Sequence, residues 1–170
     1  RAAPAAAPAT QEDNEAGRQV YVESCAVCHG VDGDGAGPAA EHLLPRPRDF
    51  RPGLYKIRTT PSGEIPTEED LFRVVSKGMP GTSMPGWERV LSEKERRQVV
   101  AYIRTLDEFY DPSYQPETVT VSRRVGASAE SIERGRDLYS ELQCFKCHGE
   151  TGRGDGPSAF ELEDEWGFPI

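Results

Sequence analysis

Two copies of one five-residue pattern constrain this chain more than anything else in it: Cys25-Ala26-Val27-Cys28-His29 and Cys144-Phe145-Lys146-Cys147-His148. Together they use all 4 cysteines and leave His42 as the remaining one of 3 histidines. The likeness extends beyond the pattern. Gly30-Val31-Asp32-Gly33-Asp34-Gly35-Ala36-Gly37-Pro38 aligns without a gap against Gly149-Glu150-Thr151-Gly152-Arg153-Gly154-Asp155-Gly156-Pro157, with glycines and proline in register. Upstream, Gly17-Arg18-Gln19-Val20-Tyr21 matches Gly135-Arg136-Asp137-Leu138-Tyr139, and the second copy has an extra residue before its first cysteine. A duplication of so long a period describes two tandem domains, not a solenoid.

C-x-x-C-H is the attachment pattern of c-type haem: the thiols form thioethers with the porphyrin vinyl groups and the adjacent histidine ligates the iron. Cys25, Cys28, Cys144 and Cys147 then anchor two covalently attached haem c groups, with His29 and His148 as iron ligands. Paired C-x-x-C segments can also hold structural zinc, and a single pair can be a redox disulfide. Neither accounts for a histidine after both pairs or for the duplicated glycine loops.

On these residues the chain resembles the class I c-type cytochromes, and specifically the tandem two-haem periplasmic kind. The pattern of that family is an N-terminal helix entering C-x-x-C-H, a glycine-rich loop with a proline, a distal Met-Pro and a C-terminal helix. Residues 12–110 match all of it, and the second copy matches as far as Pro157. The resemblance implies a mainly α chain of class I cytochrome c fold, one complete domain plus the N-terminal part of a second. It also implies that Pro38 and Pro157 sit beside the proximal histidines, and that a nearby carbonyl accepts each histidine's other ring N–H and so orients it. The expected organisation is an Ala/Pro-rich tether over 1–11, a first domain over 12–110, a linker over 111–127, and a second domain over 128–170 that is truncated or completed by a partner.

What fills the second axial position decides between electron transfer and small-molecule chemistry. Both methionines fall in Gly78-Met79-Pro80-Gly81-Thr82-Ser83-Met84-Pro85-Gly86-Trp87. The family's distal ligand precedes a proline, a small residue and an aromatic, which selects Met84; Met79 is the runner-up, and His42 or an open face are the remaining options. After His148 the sequence contains neither Met nor His. The second haem is therefore expected to be five-coordinate, closed by a partner, or completed by residues of a longer chain.

Helix signals frame these motifs. Asn14 is a candidate N-cap for a first helix running into Cys25. Thr67-Glu68-Glu69-Asp70 and Ser92-Glu93-Lys94-Glu95 read as capping boxes, opening one helix to Lys77, which Gly78 then stops, and another to about Leu106. Val99, Tyr102, Ile103 and Leu106 recur at helical spacing, and the family's crossing of first and last helices makes Gly17 against Tyr102 a plausible contact. The segment 44–52, rich in Pro and Arg, must be extended or turning; its arginines could pair with a haem propionate or simply be solvated. A short extended piece is expected at 118–121, and a further helix over 129–143.

With a mean hydropathy of −0.64 and 36% hydrophobic residues, the chain is poor in core-forming side chains, and a porphyrin would supply apolar bulk that a small domain lacks. The net charge of −9 excludes nucleic-acid binding through a phosphate-neutralising patch and favours redox partners with basic docking surfaces. No apolar run approaches the ~20 residues that cross a bilayer, so any membrane association would run through an anchor outside this sequence or a membrane complex. Because the family attaches its haem outside the cytoplasm, a periplasmic or extracytoplasmic location is expected. The functional expectation is a two-haem cytochrome carrying single electrons between periplasmic partners, or within a respiratory or photosynthetic complex. The alternative is a peroxidase-like haem enzyme with the second haem as open site, where carboxylates of 161–165 would stand in for a distal acid/base.

Overall fold

The structure is a computed structural model that describes residues 9–121, 123–163 and 167. Of the tether expected over 1–11, residues 1–8 lie outside the described residues and Gln11 already belongs to the first helix; the last two carboxylates of 161–165 also lie outside them. The described chain is mainly helical and has no β-strand: the piece expected at 118–121 forms no regular element among these residues. Chain contacts divide it into a first unit ending at Val119 and a second beginning at Thr120.

In the first unit, α1 (Gln11–Ser24) starts three residues before the expected Asn14. Thr10 is the cap: its hydroxyl accepts from the Asp13 N–H at 3.1 Å while the Asp13 carboxylate accepts from the Thr10 N–H at 3.2 Å. This reciprocal pair satisfies two of the N–H groups that a helix start leaves unbonded. The helix ends where the Cys25 N–H meets the Tyr21 carbonyl, and the short α2 (Ala26–His29) follows at once. A 3₁₀ turn over Ala40–His42 closes the glycine loop.

Helix α3 (Glu68–Lys77) and helix α4 (Glu93–Thr105) form where their capping boxes place them, on Thr67/Asp70 and Ser92/Glu95. Gly78 ends α3 at φ 73° and ψ −170°, a backbone conformation essentially confined to glycine. Helices α1 and α4 cross at backbone contact. A Cβ on Gly17 would stand 2.0 Å from the Gln98 carbonyl oxygen and 3.1 Å from the Tyr102 Cβ, so only glycine admits this approach. Around the crossing lie Tyr21, Val99 and Val100, all fully buried, with Phe50, Leu71, Val75 and Ile103. Part of the expected linker is bonded to this unit: the Tyr114 hydroxyl donates to Glu64 at 2.6 Å and the Val119 N–H to the Thr59 carbonyl at 2.7 Å.

The second unit carries α5 (Ala129–Glu141), α6 (Phe145–His148) and a 3₁₀ turn over Ala159–Glu161. Helix α5 stops short of the expected Gln143 because Gln143 turns left-handed, at φ 57°. That turn absorbs the extra residue of the second copy. The Cys144 N–H still reaches the Tyr139 carbonyl at 3.0 Å, as the Cys25 N–H reaches Tyr21 at 2.8 Å. None of the residues of α5 is buried.

Candidate haem site

Both attachment motifs are built on the same local frame. The Tyr21 hydroxyl donates to the Gly30 carbonyl at 2.7 Å, and the Tyr139 hydroxyl donates to Gly149 at 2.5 Å. The glycine loop then folds back on the motif helix: Gly35 N–H to His29 O at 2.9 Å, Gly37 N–H to Cys28 O at 3.1 Å, Ala39 N–H to Val27 O at 2.9 Å. The second copy repeats each bond, as Gly154 to His148 at 2.9 Å, Gly156 to Cys147 at 3.3 Å and Ser158 to Lys146 at 2.9 Å. Gly37 must be glycine for this fold-back, since a Cβ there would lie 2.5 Å from the Ala26 carbonyl oxygen. Pro38 and Pro157 follow Gly37 and Gly156 in these turns.

The histidine of the first copy has a defined orientation. Its Nδ1 lies 3.1 Å from the Arg48 carbonyl oxygen. A carbonyl can only accept, so Nδ1 carries the proton and the lone pair of neutral imidazole is on Nε2, the form in which histidine binds metal. Burial lowers the His29 pKa and the Arg48 carbonyl partly offsets that, so the neutral form prevails. The orienting carbonyl thus comes from the Pro/Arg segment. What that segment gives His29 is a backbone acceptor, a role invisible in side-chain chemistry.

None of the four cysteines is in a disulfide. Cys25 packs against the apolar cluster, and burial pushes its pKa up to about 12. The backbones of Met84 and Met79 are tied together in the loop from α3 to α4. The Met79 N–H donates to the Met84 carbonyl at 3.1 Å, and the Thr82 hydroxyl donates to the Met79 carbonyl at 2.8 Å and accepts from the Met84 N–H at 3.1 Å. The loop is pinned to α3 through Trp87 N–H to Val75 O at 3.0 Å and Glu88 N–H to Ser76 O at 3.2 Å. Both methionines are half-buried. His42 is exposed beside Glu41, at 3.5 Å. Sequence reasoning did not single out Phe50, whose ring stacks on His29, or Tyr55, whose ring stacks on Phe50. An aromatic in a Pro/Arg stretch of otherwise polar residues was the available signal.

Two unpaired thiols, a neutral imidazole with Nε2 free, a close-packed glycine loop and a buried Tyr55 hydroxyl without a partner among the described residues fit a covalently bound haem c. Cys25 and Cys28 would hold its vinyl carbons and His29 its iron, and the group supplies a one-electron couple. With this frame and helix order the first unit is a class I c-type cytochrome domain. Residues 12–103 match the family model described as cytochrome c oxidase, cbb3-type, subunit III, and the chain belongs to that family.

It is 29% identical over 98 residues to a cytochrome c of Tetrahymena pyriformis, covering 55% of this chain and 89% of that protein. It is 28% identical over 142 residues to the cbb3-type cytochrome c oxidase subunit CcoP of Azospirillum sp. (strain B510), covering 81% of this chain but 40% of that subunit's length. Among solved structures, a chain of the Kuenenia stuttgartiensis reducing HAO-like protein complex superposes with a TM-score of 0.85 at 44% identity, covering 92% of this chain and 71% of that one. Membership of the family carries covalent haem c and electron transfer. No helix among the described residues is long and apolar enough to cross a membrane.

Proposed function

We propose that this chain is a two-haem c-type cytochrome that passes single electrons outside the cytoplasm, in the periplasm or its equivalent, as a carrier or as the electron-transfer subunit of a larger redox complex. The observation that carries this reading is the bond-for-bond repetition of the motif frame, with Tyr139, Gly149, Gly154 and Gly156 doing in the second copy what Tyr21, Gly30, Gly35 and Gly37 do in the first. The repeated frame supports a second haem on Cys144, Cys147 and His148. Met84 closes the first iron. Its thioether stabilises the ferrous form and raises the potential, and a loop pinned to α3 at Trp87 and Glu88 limits ligand motion on electron transfer.

The neighbour's membership of a reducing HAO-like protein complex supports a place for this chain beside a redox enzyme rather than as a lone shuttle. The acidic chain, at −9, suits a basic docking surface on such a partner. The test is intact-mass spectrometry with a haem count. Two haems per chain are expected, and one haem per chain sinks the two-haem reading. Stopped-flow oxidation of the reduced protein by peroxide separates the functions: slow, non-catalytic oxidation is expected, whereas turnover would make the peroxidase-like reading the correct one.

A further inference from the structure

The ring of Phe50 lies against the imidazole of His29, centroids 4.5 Å apart and planes 20° from parallel. Tyr55 continues the stack at 6.1 Å and 13°, and Tyr21 meets Phe50 edge-on at 6.4 Å. Phe50 is 7% exposed. Its own backbone is fastened to the glycine loop, N–H to Gly33 O at 2.7 Å. Arg48, two residues earlier, supplies the carbonyl that holds Nδ1 of His29. One short stretch therefore touches the proximal histidine twice, in the ring plane through Arg48 and on the ring face through Phe50.

These contacts restrain different motions. A hydrogen bond at Nδ1 fixes the direction of one ring atom, yet the terminal torsion of histidine is broad, and tilting about the N–H···O line costs little. A parallel aromatic face blocks that tilt. We propose that Phe50 is a positioning residue for the axial imidazole: with the Arg48 carbonyl it sets the plane of His29 relative to the porphyrin and keeps the Nδ1–H···O bond aligned. This rests on His29 ligating the first haem. A well-aligned bond at Nδ1 makes the imidazole a stronger donor to iron, which favours the ferric state, so loosening it raises the potential.

The competing view is that Phe50 is core filling, since it belongs to the cluster with Tyr21, Leu71 and Val99. Phe50→Leu separates the two because it keeps apolar bulk and removes the plane; Phe50→Tyr keeps the plane. Both are made in the full chain, with haem counted per chain. Expected for Phe50→Leu are unchanged haem content, a broadened and shifted low-spin ferric EPR signal of the first haem, and a raised potential; Phe50→Tyr restores the wild-type signal. If Phe50→Leu lowers only the unfolding midpoint, with EPR and potential as in the wild type, Phe50 is filler and the proposal falls. Should the leucine variant fail to accumulate, Phe50→Met decides by the same readouts. His29→Ala tests the underlying ligation: loss of the first haem's low-spin signal upholds it, whereas its persistence overturns the ligand assignment and the proposal with it.

Discussion

Gly17 rests directly on the peptide carbonyl of Gln98, leaving no room for a methyl group, which would stand 2.0 Å from that oxygen. Its counterpart Gly135 has nothing within 4 Å of the same position. Gly17→Ala forces α1 and α4 apart and should cost about 3 kcal/mol, in the range of overpacked cores. Gly135→Ala should instead add roughly 1 kcal/mol by helix propensity. Chemical denaturation of the holoprotein checks both; a destabilising Gly135→Ala would mean that another helix packs there in solution.

Gln143 is the described non-glycine residue with positive φ, at 57°. An L side chain there costs roughly 1 kcal/mol, so Gln143→Gly should raise the unfolding free energy of the second unit by about that amount. Hydrogen exchange at α5 and α6 reads the gain, and an unchanged or faster exchange would refute it.

Asp70 is 2% exposed and serves as cap and latch together. It accepts from the Thr67 N–H at 3.1 Å, and from the Thr59 N–H and hydroxyl at 2.9 Å each, and it pairs with Arg73 at 3.0 Å. Burial acts to raise its pKa, but the Thr59 and Thr67 hydrogen bonds outweigh that and hold it below the ordinary value of 3.8. A depressed carboxylate stabilises fully above its unfolded pKa and loses that contribution as pH falls through the folded one. Asp70→Ala should cost roughly 3 kcal/mol at pH 7 through the lost cap and stranded N–H groups. It should also flatten the wild type's stability loss below pH 4. An equally steep acid profile in the variant would show that Asp70 is not the responsible group.

Tyr21→Phe leaves the Gly30 carbonyl without its buried donor and should cost about 1.5 kcal/mol. Tyr139→Phe should cost less, because Tyr139 is only half-buried and water can replace the hydroxyl. Thermal melts followed in the Soret band give both values; equal losses would contradict the difference in burial.

Met84→Ala should lower the potential of the first haem and add one CO-binding iron per chain. Met79→Ala should leave the potential and CO binding nearly as they are. The reverse outcome would move the ligand assignment to Met79. Reduced-minus-CO difference spectra, normalised to haem, decide between them.

Residues whose role requires contiguity were plain in the sequence. Thioether attachment needs Cys, Cys and His in one short run, and a capping box needs its two members three apart, so Thr67/Asp70 and Ser92/Glu95 were fixed in advance. The helix start was missed because Asn14 and Thr10 are both good caps, and only the reciprocal Asp13 bond selects Thr10. The Arg48 carbonyl and the Phe50 ring were hidden for another reason. A backbone acceptor has no residue code, and a face-to-face contact across 21 positions of irregular chain has no periodicity to betray it. The placement of Pro38 was carried over from a family pattern; the bonds that shape its turn are those of Gly37 and Ala39.

The bond from His29 to Arg48 has a further consequence for the order in which the protein matures. If haem is attached at Cys25, Cys28 and His29, these residues are made before Arg48 and Phe50, the groups that aim the imidazole. The residues that would capture a porphyrin thus lie ahead, in chain order, of those that would hold its axial imidazole in place.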